Sequence, residues 1–373
     1  SDTEIDPTSY NTPAQTQERS IYSVFGRAGY SYGNKYYGEM SFRYDGSSKF
    51  AKDYRWGFFP SFSAGWRLSE ENFMASYKER VGDLKLRGSY GVLGNQNVDD
   101  YSYFTTYSVY SNSYGFNNKA VSGTGFSFGN KELQWEQSAN FDLGLDASFF
   151  KNKFYVSGGY FNKLTSQILL TPVVPTVFGG SVAKENAGKM RNQGWEVTLG
   201  YRAKTGEFKH NVNLNIADSK NKVVDFGGNE QINSSDQMLK IIREGEALGS
   251  YYGYKTDGYF NNYEEIAKAA LPIGATVQPG DVRYKDQNND DVIDEKDRRV
   301  LGNAFPRYTF GLTYDLTWKG FDFSVLVQGV GKRDMFLRGE LVEPFHSNYS
   351  YVIYQHQLDF WTPVNTDAGW PRL

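Results

Sequence analysis

The sequence contains no cysteine, so neither a disulfide framework nor a thiolate metal site is open to it. Histidine is nearly as scarce. Of the three present, His210 falls on an alternating segment, and His346 and His356 lack the i, i+4 spacing of a helical zinc pair. Only 39 % of the chain is hydrophobic and the mean hydropathy is -0.60. No apolar run of about twenty residues exists, which excludes a transmembrane helix. Neither sign of charge dominates: 40 Lys and Arg stand against 43 Asp and Glu, a net charge of -3. That leaves no electrostatic case for nucleic acid. A nucleophile elbow and a phosphate-binding loop are both missing. The opening stretch Ser1–Pro7 is polar and is not a secretory signal, so an exported protein would be represented here by a mature form or an internal piece.

What the chain does have is aromatic residues and glycine. Tyr (29), Phe (27) and Trp (7) make up 17 % of it, and glycine contributes 39 residues. High aromatic and glycine content with low mean hydropathy suits an antiparallel β-barrel in an outer membrane, where only every second residue must be apolar. A secreted β-protein is the other class it suits.

Residues 1–17 read as a polar loop. A two-residue period follows. Tyr22, Val24, Gly26, Ala28, Tyr30 and Tyr32 share one face, with Ser23, Arg27, Gly29 and Ser31 on the other and Phe25 as the exception. Gly33-Asn34 predicts a tight turn into Tyr36, Gly38, Met40, Phe42 and Tyr44. The same alternation recurs at 58–68, 84–92, 141–149, 154–163, 195–201, 208–216, 308–318 and 321–327. About ten strands result, each long enough for a tilted crossing of a bilayer. A short helix with a Ser69 cap is expected over 69–82. Aromatics fall at predicted strand ends (Tyr30, Tyr32, Tyr36, Trp66, Phe149, Trp195, Tyr308, Trp318), which fits an interfacial girdle or ligand stacking. Asp142, Asp146 and Asp315, and the ladder Asn211, Asn213 and Asn215, fall on the polar faces, as lumen polarity or as a hydrated path. Connections alternate short (33–34, 151–153, 204–206, 319–320) and long (46–57, 94–135, 166–190, 219–306, 332 onward). In outer-membrane barrels the long ones face outward. The barrel part is thus 18–331, and 332–373 is a further outward segment.

The longest connection, 219–306, holds Asp286–Asp297. Asp286, Asn288, Asp290, Asp294 and Asp297 occupy positions 1, 3, 5, 9 and 12 of a twelve-residue calcium loop, and Val292 at position 7 offers a backbone carbonyl. Asp291 stands where glycine is usual, and position 12 is Asp where Glu is usual, a pattern similar to dockerin-type loops. The alternative is an acidic surface turn rich in Asx-turns. Placed in an outward connection, the loop reads as a structural calcium clamp. Tyr101, Tyr103, Phe104, Tyr107 and Tyr110 crowd another long connection, where they would stack on a sugar or meet a partner.

Several stretches resemble one family, the SusC/RagA-type TonB-dependent transporters of Bacteroidetes outer membranes. They are R-Y-D-G-S-S-K-F (43–50), G-F-F-P-S-F-S-A-G-W-R-L-S-E-E-N-F-M (57–74) and D-L-K-L-R-G-S-Y-G-V-L-G-N-Q (83–96). Others are L-Q-W-E-Q (133–137), G-L-D-A-S-F-F-K-N-K (144–153), N-A-G-K-M-R-N-Q-G-W-E (186–196), 280–303 and 319–329. The resemblance implies a barrel of about 22 strands filled by a plug. It further implies a SusD-like surface lipoprotein as lid, TonB as energy source acting through the plug, outer-membrane lipid around the wall, and an oligosaccharide or oligopeptide as cargo. No plug-like segment is found, so the chain is expected to be an internal to C-terminal part of the barrel, its remaining strands supplied by other segments of the same protein. The other functions weighed are an adhesin or carbohydrate-binding module and a barrel hydrolase. Apolar strand faces disfavour the first, and histidines far apart in sequence disfavour the second.

Overall fold

Alternation becomes register. Along the chain, β1 (Ile21–Tyr32), β2 (Tyr36–Ser47), β3 (Trp56–Arg67), α1 (Ala75–Arg80), β4 (Leu84–Asn95), β5 (Thr106–Phe116) and β6 (Lys119–Phe128) come first. They are followed by β7 (Glu136–Phe149), β8 (Phe154–Leu170), β9 (Ser181–Val182), β10 (Glu185–Thr205) and β11 (Phe208–Asp225). Shorter strands come next: β12 (Glu230–Ser235), β13 (Met238–Arg243), β14 (Ser250–Gly253), β15 (Thr256–Tyr259), β16 (Leu271–Pro272), β17 (Val282–Tyr284), β18 (Val292–Ile293) and β19 (Arg299–Gly302), with α2 at Tyr263–Lys268. Two long strands close the series, β20 (Arg307–Trp318) and β21 (Phe321–Lys332). These are read from a computed structural model that describes residues 18–116, 119–172, 174–235, 238–339, 341–346 and 352–373. The polar segment expected at 1–17 lies outside the described residues.

Ten strands form one open sheet in the order β1-β2-β3-β4-β7-β8-β10-β11-β20-β21. Its cross-strand rows separate the two chemistries. Tyr36, Trp66, Leu86 and Leu145 line up across β2, β3, β4 and β7, and Gly38, Ala64, Gly88, Leu143, Tyr160 and Trp195 form the next row on that face. The opposite face carries Glu39, Ser63, Ser89 and Asp142 in one row and Asp146 beside Ser157 in another. One face therefore suits hydrocarbon and the other water.

At the short-turn end the chain reverses where its residues tolerate positive φ. Gly33 (56°) and Asn34 (58°) join β1 to β2, and Lys319 (45°) and Gly320 (87°) join β20 to β21. Aromatic pairs gather there: Tyr36 on Trp66 at 6.4 Å and Phe208 on Trp318 at 5.6 Å. At the other end, Phe50, Phe59, Val98, Leu133 and Trp135 build a small buried core, with Trp135 Nε1 donating to the Arg55 carbonyl at 2.9 Å. That core ties three connections to the strand ends.

The segment 69–82 departs from expectation. It is two 3-10 turns (Leu68–Glu70 and Asn72–Met74) and then the six-residue α1. Ser69 does not cap a helix. It donates to Asp83 Oδ1 at 3.3 Å, and Arg67, Glu71 and Met74 occupy the cap positions. Glu71 anchors the turn by accepting from Tyr36 Oη (2.5 Å), Trp66 Nε1 (3.0 Å) and Lys35 Nζ (3.2 Å), and these donors, Tyr36 foremost, hold its carboxyl below the usual glutamate range.

β8, β10 and β11, at 17, 21 and 18 residues, outrun the expected strand lengths. The extensions of β10 and β11 are largely polar, as in Lys220 and Asn221, whereas that of β8 ends on Ile168, Leu169 and Leu170, and all of them pair strand to strand. The connection expected at 166–190 shrinks accordingly, and Trp195 lies near the middle of β10, away from a strand end. Phe25, the exception in the pattern, pairs with Arg43 on the polar face; the residue is 72 % exposed and its ring lies 5.8 Å from the Arg43 guanidinium.

By its contacts the chain divides into two units, 1–227 with 311–328 and 228–310 with 329–373. The second carries the sheet β12-β13-β14-β19 and the pairs β15-β17 and β16-β18.

Candidate functional site

The acidic loop belongs to the second unit and is built by Asx-turns. Asp286 Oδ1 accepts from the Asn288 (3.2 Å) and Asn289 (2.7 Å) amides, and its Oδ2 accepts from the Asp291 amide at 2.9 Å. Asn288 Oδ1 takes the Asp290 amide and Asp290 Oδ1 the Val292 amide. Asn289 (φ 60°) and Asp291 (φ 62°) both adopt the left-handed region, so the chain makes the sharp turn with Asp where glycine was expected.

The far end closes on Asp297, which is fully buried. It accepts from the Gln287 amide at 2.7 Å and the Asp294 amide at 2.8 Å. Burial works to raise its carboxyl, and the amides of Gln287, Asp294 and Asn288, aided by Arg299, overcome this and hold it below the ordinary aspartate value. Val292 and Ile293 pair in parallel with Leu271 and Pro272, and Ile293 is buried at the seam.

All six residues expected to bind calcium thus lie in one wrapped loop of oxygen donors, the chemistry a hard cation needs. Their carboxylates are engaged differently in this arrangement. Lys296 Nζ stands 3.8 Å from Asp290 Oδ2 and 3.4 Å from Asp294 Oδ2, where it supplies the positive charge. Among the described residues, no group of three His, Cys, Asp or Glu is placed to hold a metal ion.

The aromatic residues singled out in the other connection split into two sets. Tyr103 and Phe104 pack ring on ring at 4.3 Å, and Tyr101 hydrogen-bonds Glu18 through both its donor (3.2 Å) and its acceptor (3.1 Å). Tyr107 and Tyr110 sit on β5, in a small sheet ordered β5-β6-β9. They point to opposite faces, Tyr107 beside Phe126 and Tyr110 over Gly125. The five therefore form no single platform. Tyr101 and Phe104 instead line a cleft of about 600 Å³ together with residues at 127–128 and 182–184. Sequence reading missed Asp100, Phe128 and Lys184, which line it too; they are scattered through the chain and share no motif.

On the polar face of the large sheet every carboxylate singled out has partners. Asp146 meets Arg87 Nε (3.2 Å) and Ser157 Oγ (2.6 Å), Asp142 meets Asn140, and Asp315 accepts from Asn211 (2.9 Å) and Ser324 (2.6 Å). His210 Nδ1 lies 2.9 Å from Tyr314 Oη within the aromatic row of β11 and β20. His346 pairs with Glu343 at 3.2 Å, and His356 contacts the Leu341 carbonyl. These are structural arrangements.

Comparison with known proteins bears on the whole chain. The sequence model described as TonB dependent receptor-like, beta-barrel matches residues 1–363. TonB-dependent receptor P26 of Formosa agariphila is 32 % identical over 380 residues, which is 98 % of this chain and 37 % of that receptor. TonB-dependent receptor SusC of Bacteroides thetaiotaomicron is 30 % identical over 331 residues, 83 % of this chain and 31 % of SusC. The solved structure of the RagAB peptide transporter superposes with a TM-score of 0.77 at 21 % identity, covering 95 % of this chain and 38 % of that one. The chain spans about a third of the length of these relatives, between 31 % and 38 %.

Proposed function

The chain belongs to the TonB-dependent receptor-like β-barrel family, and on that premise we propose that it is part of the wall of an outer-membrane transporter. The cargo is an oligomeric nutrient, a glycan or a peptide, imported with energy delivered through TonB. The observation that carries this reading is the register of the ten-stranded sheet. It puts Tyr36, Trp66, Leu86 and Leu145 on one face and Glu39, Ser63, Ser89 and Asp142 on the other. A soluble adhesin or sugar-binding module would have no use for so wide an apolar face, and the family is one of receptors, which removes the hydrolase reading. The short-turn end then faces the periplasm, and the connections bearing the cleft and the acidic loop face outward.

A SusD-like lipoprotein is the partner this reading assigns to the outward side. Deleting the gene in the bacterium that encodes it, then growing the strain on single glycans and peptides, tests the import reading. Selective loss of growth on one polymer, reproduced by a protonophore, is expected; normal growth on every source would refute it. Affinity purification of the full-length protein in detergent should bring down one lipoprotein, and its recovery without one would remove that partner.

For the acidic loop, the same reading keeps calcium as ligand. Asp286, Asn288, Asp290, Val292, Asp294 and Asp297 would hold it, with Lys296 displaced. The spacing supports this. The test is limited proteolysis of the full-length protein with calcium or EGTA: faster cleavage near 286–297 in EGTA supports calcium, and identical cleavage excludes it.

A further inference from the structure

We propose that the outer face of β10 and β11, just beyond the apolar band, binds the phosphate groups of an outer-leaflet glycolipid, an assignment that rests on the transporter-wall reading above. Register defines that face. Between Thr205 and Trp195 on β10, and between Phe208 and Ile216 on β11, the residues on the hydrocarbon side include no Lys or Arg. Trp195, 39 % exposed, stands ten residues along β10 from Thr205. At about 3.3 Å per residue and a tilt of about 40°, that is about 25 Å, the height of the hydrocarbon band. The next positions on the same side change character at once. β10 brings Gln193, Arg191 and Lys189, and β11 brings Asp218, Lys220 and Lys222.

The charges there do not cancel. Lys189 is taken by Asp225 at 2.8 Å, and Asp218 is buried, at 7 % exposure. Arg191, Lys220 and Lys222 are exposed and have no ion-pair or hydrogen-bond partner among the described residues. Arg191 and Lys222 are moreover direct cross-strand partners, with Lys220 one row below them opposite Gln193. Like charges so placed repel, and an anion lodged between them relieves the repulsion. Phosphate suits the set, because the Arg fork binds two of its oxygens and the ammonium groups add point charge. Position selects a lipid as its source. The cations follow Trp195 on the side of the wall that meets hydrocarbon, and Leu164 of β8 pairs with Arg191 on that same side. Their stems can lie along apolar surface while the charged ends stay at head-group level. The short-turn end of these strands carries no such cations on this side, so the patch addresses the outer leaflet alone.

The experiment is native mass spectrometry of the full-length protein in non-ionic detergent, titrated with diphosphoryl lipid A, with the same lipid after removal of its phosphates, and with the diphosphoryl form against excess inorganic phosphate. The diphosphoryl lipid is expected to bind, the dephosphorylated one to bind far more weakly, and phosphate not to displace it. Arg191→Gln, Lys220→Gln and Lys222→Gln should each weaken binding about fivefold, the effect of one cation near an anionic lipid surface. Lys209→Gln, at the short-turn end of β11, should leave it unchanged. The three side chains are exposed, and heat-modifiable gel mobility checks that each variant is folded. Equal binding of the two lipids, unchanged affinity in all three variants, or displacement by phosphate would overturn the proposal, the last by giving the site to a soluble anion. Growth on every glycan and peptide after gene deletion, with lipid selectivity retained, would remove the import reading and leave the patch standing. Lost selectivity with growth still dependent on the gene would remove the patch alone.

Discussion

Asp297 has no exposed surface, and its two oxygens hold the two halves of the acidic loop together through the Gln287 and Asp294 amides. Asp297→Ala leaves two enclosed N–H groups without acceptors, at about 1–3 kcal/mol each. Hydrogen exchange of the full-length protein should show both amides losing protection; retained protection would mean that other acceptors suffice. The pH dependence follows from the sign of the shift. The folded carboxyl titrates below its ordinary 3.8, so its contribution is complete above that value and is lost as pH falls through the folded one. Protection factors at Gln287 and Asp294 should be level from pH 7 to 5 and decline only below about pH 4. Asp291, at φ 62°, bears strain that glycine would not. Asp291→Gly should leave the loop's fold unchanged and stabilise it by up to about 1 kcal/mol, read as slower local exchange.

At the scale of elements, the long strands were legible because a bilayer demands a strict two-residue period, and the tight turns because Gly33-Asn34 and Lys319-Gly320 accept positive φ. Strand ends in β10 and β11 were not, since largely polar extensions such as Lys220-Asn221 carry no two-residue apolar period, nor was that of β8, which ends on the unbroken apolar run Ile168, Leu169 and Leu170. Nor was the fold of 228–306, whose strands of two to six residues are too short to show any period. The acidic ladder was readable from spacing alone, whereas the cleft joins residues some eighty positions apart and left no local trace. Gly82 shows what a single position does for an element. At φ 144° it brings α1 into β4 against the end of β7, and a Cβ there would strike the Ser148 carbonyl. Gly82→Val should cost about 1–3 kcal/mol and lower the temperature at which the assembled barrel loses its compact gel mobility; an unchanged transition would show that the turn re-forms elsewhere. Trp135→Ala should act at the opposite end. Emptying that core by a buried Trp is worth about 3–5 kcal/mol locally, so protease should enter 48–55 and 97–135 while the ten strands of the large sheet stay intact.

At the scale of the whole molecule, the large sheet ends, among the described residues, in two open edges, β1 and β21. Each carries unpaired backbone groups that hydrocarbon cannot satisfy. Expressed without further strands, this chain should associate through those edges in detergent, giving a broad high-mass peak in light scattering. A monodisperse monomer would show that the edges are satisfied from within. Charge on the watery face is distributed as paired groups, Arg87 with Asp146 and Arg27 with Glu39, so raising salt should have little effect on the wall itself.

The parallel seam of β16 with β18 sets a rule for transplantation. Position 8 of the acidic loop, Ile293, is buried against a partner twenty-one residues earlier in the same chain, Pro272. The smallest portable cassette is therefore 271–297. A synthetic peptide cut at 286 would carry every side chain of the acidic loop and lack the strand on which Ile293 packs.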